Sequence, residues 1–168
     1  MEELIHMCYM VYISTDSPLD IAQTNTSLIR FSKITDASVD RCLELLAFQH
    51  KWSVEAKDNG CGCAFRHLHP DSIELGFREP EDWCPEEPDA IEATQELRSR
   101  LIALLDSGYH VDLLDKWDDA GPQDIVNLDV DLDAIPAKAF ILFENHKFAL
   151  TKKTIKNYSS PNRKKSAP

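Results

Sequence analysis

The 168 residues carry a formal net charge of −11, with 43% hydrophobic and 28% charged residues, an ordinary balance for a globular domain. The charge is uneven: residues 151–168 hold Lys152, Lys153, Lys156, Arg163, Lys164 and Lys165 and no carboxylate side chain, which leaves the rest strongly acidic. An acidic body repels phosphate backbones and anionic lipid, which excludes nucleic acid as its expected main partner, and no apolar run reaches the length of a membrane span.

The expected organisation is one α+β domain over 1–151 and a basic, disordered tail over 152–168, rich in Ser, Pro, Asn and Lys. The start of the chain, Met1 to Thr15, is acidic before a short apolar run, unlike a secretory signal. Five cysteines without such a signal do not form a disulfide framework. The expectation is a reducing, cytoplasmic setting.

In chain order, "MCYMVYIS" over 7–14 is β-branched and aromatic and predicts a buried strand. Ser17-Pro18-Leu19-Asp20 has the form of a helix start, and 27–34 predicts a second extended segment. Ser38 then caps an expected helix. Its apolar stripe is Val39, Cys42, Leu43, Leu46, Ala47 and His50, with Cys42 acting as a small hydrophobe.

Asn59-Gly60 is a strong type I′ hairpin signal, and a turn there sets Asp58 opposite Cys61, Ala56 opposite Cys63, Val54 opposite Phe65 and Trp52 opposite His67. The longest helix is expected from Pro88 to about Ser107. Pro88 suits its first turn, Gly108 its stop, and Ile91, Thr94, Leu97, Leu101, Leu104 and Leu105 form the buried stripe. A strand over 109–117, an acidic loop, a helix over 134–144 and a last strand "HKFALT" complete the pattern. Strand, helix, hairpin, helix, strand is the βαββαβ order of a ferredoxin-like sandwich, with extra elements at 18–34 and 134–151. It identifies no function.

The chemistry-bearing stretch is "KDNGCGCAFRHLHP", 57–70. In the hairpin register Cys61 and Cys63 share the apolar face. Residues two apart on a strand are about 6.7 Å apart and four apart about 13 Å, so two thiolates can share one metal while His67 stays out of reach on an intact strand. A zinc-type site therefore needs Cys61 and Cys63 joined by Cys8 from the first strand or Cys84 from "PEDWCPEEP". A Cys61–Cys63 disulfide would be strained, which leaves a thiol-redox pair as an alternative.

Other motifs are weaker. Asp129-x-Asp131-x-Asp133 begins like a calcium loop, but Ala134 and Phe140 stand where glycine and glutamate are needed. Glu144 and His146 form a candidate acid/base or ligand pair without a nucleophile, and His67 and His69 share that ambiguity. Glu81, Asp82, Glu86 and Glu87 surround Trp83, which is expected to anchor its loop to the core. There is no G-x-G-x-x-G, P-loop, G-x-S-x-G or H-E-x-x-H. The leading expectation is a non-catalytic domain that binds a small molecule or a protein partner, with a homodimer through an exposed sheet as one form. A zinc-binding protein and a thiol-redox protein are the alternatives.

Overall fold

A computed structural model describes residues 7–57 and 60–153. Its centre is β1 (Tyr9–Thr15), the apolar run expected to be buried. With β2 (Ile29–Lys33), β3 (His50–Ala56), β5 (Val111–Trp117), β6 (Val126–Asp131) and β8 (His146–Thr151), it forms a six-stranded sheet in the order β2-β3-β1-β5-β8-β6. All pairs are antiparallel except β6 with β8. Two short strands, β4 (His67–Leu68) and β7 (Leu142–Phe143), pair in parallel outside that sheet.

The single long helix, α1 (Pro88–Asp106), forms where its cap chemistry predicts, with proline in the first turn and Gly108 in the left-handed region at φ +87 beyond its end. Strand periodicity puts Val11 opposite Val54 and Ile13 opposite Trp52 and Leu113. These side chains share one sheet face, which joins Ala93, Leu97, Leu101 and Leu104 of α1 in the main core. The opposite face, carrying Tyr12 and Leu114, is covered by Cys42, Leu43 and Leu46. Cys42 is fully buried there, the hydrophobic role expected of it.

The arrangement is α+β, but not the expected ferredoxin-like βαββαβ. Among the described residues α1 is the only α-helix. Residues 37–45 make 3-10 turns instead of a helix, because Asp36 and Asp40 each accept the N–H two residues on, from Ser38 and Cys42. These local bonds compete with helix propagation, and Val39 is left exposed.

The expected helix over 134–144 is absent for a related reason. Asp131 caps a turn over Leu132–Ala134, Pro136 precedes another over Ala137–Ala139, and the chain then extends into β7. Proline disfavours the helical conformation in the residue before it and cannot donate to a helix. The acidic loop expected before it contains β6, an edge strand alongside β8.

The hairpin register also fails. Both edges of β3 are already taken, by β1 and β2, so 61–68 cannot pair with it, and His67–Leu68 pairs with β7 instead. The Ala56 N–H donates to the Cys61 carbonyl at 3.0 Å, which puts Ala56 beside Cys61, not Cys63. Positive φ falls at Lys57 (58°) and Gly60 (72°), while Asp58 and Asn59 lie outside the described residues. The tail beyond Lys153 also lies outside them. Among the described residues no helix is long and apolar enough to cross a membrane.

Candidate metal centre

Released from β3, the chain after Gly60 turns back on the start of β1. Gly62 donates its N–H to the Tyr9 carbonyl at 2.9 Å, and Tyr9 donates its own to Cys63 Sγ at 3.3 Å. A Cβ at position 62 would collide with Val11 Cγ2, so only glycine allows this approach. The result brings together Cys8, which immediately precedes β1, with Cys61 and Cys63. Their three sulfurs all lie within 4.8 Å of one another.

Cys61 is buried and Cys63 exposed. Cys84 is exposed in a separate loop, where its N–H closes a turn onto the Glu81 carbonyl, and it does not join the cluster. Of the two residues named as partners for the cysteine pair, the fold brings in Cys8.

Cys63 and Cys8 are held against ionisation. Burial first, then hydrogen bonding with Cys61, pushes Cys63 up to about 12. Cys8 is raised by its hydrogen bond with Cys61 and by burial. A nucleophilic redox thiol needs the opposite shift and an accessible sulfur, yet Cys61 is only 8% exposed. Crowded thiols become a good ligand set once a cation offsets their charge, since coordination removes the proton.

Behind the loop stands a group that the sequence did not single out as a pair. His67 Nε2 lies 2.7 Å from the Gly62 carbonyl and its Nδ1 2.7 Å from Asp115 Oδ2. A carbonyl only accepts, so Nε2 carries a proton. Burial alone would lower the His67 pKa, but the Asp115 carboxylate and the two hydrogen bonds outweigh it and raise it. The Tyr9 ring stacks on it, with centroids 3.8 Å apart and planes 6° apart. Both His67 ring nitrogens are thus occupied by other partners. The pair fixes the carbonyl between the two cysteines, a role of the outer shell in metal sites.

The remaining candidates do not join the sulfur cluster. His146 Nδ1 meets the Glu144 carbonyl at 2.8 Å, and the buried Glu144 donates its N–H to the Leu68 carbonyl. His69 caps the 3-10 turn Pro70–Leu75. Asp131 accepts from Asp133 and Lys153 N–H groups. Trp83 is not a core anchor: it is 74% exposed, its Nε1–H donates to Glu81, and the Arg78 guanidinium lies 5.4 Å from its ring centroid.

Arg66 went unnoticed in the sequence. It is buried, pairs with Glu86 through two nitrogens at 2.7 and 2.9 Å, and donates to the Arg78, Lys138 and Phe140 carbonyls. A lone arginine between Phe65 and His67 gives no signal of this. No protein-family model matches the chain, and no curated protein or solved structure matches it.

Proposed function

We propose that this protein binds a thiophilic metal ion, zinc in the first instance, through Cys8, Cys61 and Cys63. The observation that carries this is the convergence of three sulfurs from two segments more than fifty residues apart. A zinc ion with Zn–S bonds of about 2.3 Å holds tetrahedral sulfurs ~3.8 Å apart, which small side-chain adjustments within the cluster allow. Among the described residues no fourth histidine, cysteine or carboxylate lies within the same distance of all three. The three sulfurs leave a fourth position for a lighter donor, beside the exposed Cys63.

Purified protein loaded with cobalt(II) tests this through the thiolate-to-cobalt charge-transfer band. One cobalt per chain with strong thiolate absorption is expected. Cys8→Ser, Cys61→Ser and Cys63→Ser should each weaken binding at least tenfold, while Cys84→Ser leaves it unchanged. Absence of a stoichiometric ion, or binding indifferent to Cys63→Ser, would overturn the proposal. The reading as a small-molecule binding domain draws support from a different feature, a cavity between α1 and the Ile21–Thr24 turn.

A further inference from the structure

The cavity has a volume of about 300 Å³, at the lower end for ligand pockets and larger than the roughly 150 Å³ cavity that admits benzene in another protein. Its wall is mainly apolar and includes Ile13, Ile21, Phe31, Leu101 and Leu104, all of them core residues. Leu19, also in the lining, is 55% exposed, an apolar side chain that its own fold leaves in water. The sulfur cluster contributes nothing to this site.

One polar group sets the chemistry. Arg100 lines the cavity, and its Nη2 donates to the Thr24 carbonyl at 3.2 Å and to Glu96 at 3.3 Å. Its Nε–H is buried and has no acceptor among the described residues. A buried donor without an acceptor is unfavourable and rare, and a turn of the guanidinium toward the cavity would let a ligand oxygen satisfy it. Glu96 already balances the guanidinium charge, and Asp20 adds a carboxylate in the lining. An anionic ligand therefore meets net repulsion there, whereas an uncharged acceptor does not.

We propose that this cavity binds a small, uncharged apolar molecule that carries one hydrogen-bond acceptor, its oxygen on the Arg100 Nε–H and its hydrocarbon against Phe31 and Leu104. The probe is 2-nonanone, with nonanoate as the charged comparison, titrated into the full ¹⁵N-labelled chain and followed by amide chemical shifts. The ketone should cause saturable shifts confined to residues 21–24, 31 and 101–107.

Arg100→Met should weaken the ketone three- to tenfold, and nonanoate should bind at least tenfold more weakly than the ketone. Ala103→Trp, an exposed lining position on α1, should block binding; Gln23→Trp does the same from the opposite wall should the first variant lose its dispersed spectrum. The proposal is overturned if 2-nonanone gives no saturable shift up to its solubility, if shifts centre elsewhere, or if both tryptophan variants bind normally. It is also overturned if Arg100→Met binds as well as the parent, or if nonanoate equals or exceeds the ketone.

Discussion

Gly62 sits at the tightest point of the candidate centre. Its backbone lies against Val11 closely enough that an added Cβ overlaps the valine side chain, and its N–H and carbonyl are both engaged. Gly62→Ala should therefore lower stability by about 1–3 kcal/mol and weaken metal binding in the same protein. Urea denaturation and a metal titration measure the two effects. Loss of stability with unchanged metal affinity would separate the loop's packing from the site.

His67 makes a second residue-level prediction. Its folded pKa is raised above the unfolded value, so the stability it contributes is full below about pH 6.5 and is lost as pH rises through the folded pKa. Asp115, raised by burial, acts in the same direction. Thermal unfolding with chelator present should show stability declining as pH rises through His67's folded pKa. His67→Gln should remove most of that slope and cost roughly 3–5 kcal/mol, because Asp115 is left buried without its cation. A wild-type slope of the opposite sign would contradict a raised His67 pKa.

At the scale of elements, Arg66 bolts three loops together through Glu86 and the carbonyls of residues 78, 138 and 140. Arg66→Met should cost about 3–5 kcal/mol, measured by denaturant midpoint, and should raise amide exchange across 66–86 and 138–143. An unchanged midpoint would show that the bolt is dispensable.

Elements with a complete local code were legible. Val11 and Ile13 on β1, the Pro88 start and Gly108 stop of α1, and the alternation of β8 all formed as read. The two failed helices were decided by short-range competition: Asp36, Asp40 and Asp131 bond their own backbone, and Pro136 blocks propagation. Both signals stand in the sequence and were outweighed by the apolar stripe. The alternation Val126, Leu128, Val130 of β6 was equally present but masked by its aspartates. The hairpin failed for a cause no local reading holds, namely that β1 and β2 occupy both edges of β3.

For the whole molecule, that same competition creates the candidate centre. Had 61–68 paired with β3, Cys61 and Cys63 would lie on a strand; displaced, they meet Cys8 at the start of the central strand. Cys61 and Cys63 were legible as a candidate pair. Cys8 was one of two possible partners, and the His67–Asp115 support depended on tertiary contacts 48 residues apart. A metal held there links the start of β1 to the 61–63 turn and must stabilise the fold by mass action. With free zinc at a hundred times its Kd, the gain is about 2.7 kcal/mol, or roughly 5–10 °C in Tm for a chain of this size. Calorimetry with zinc and with chelator measures it, and Cys63→Ser should abolish most of the difference.

The most direct measurement is X-ray absorption at the zinc edge of the stoichiometrically loaded protein. Three sulfur neighbours at about 2.3 Å and one lighter atom are the predicted coordination shell. A shell of nitrogen and oxygen alone, or one unchanged in Cys8→Ser, would contradict the assignment of Cys8, Cys61 and Cys63 as the metal ligands.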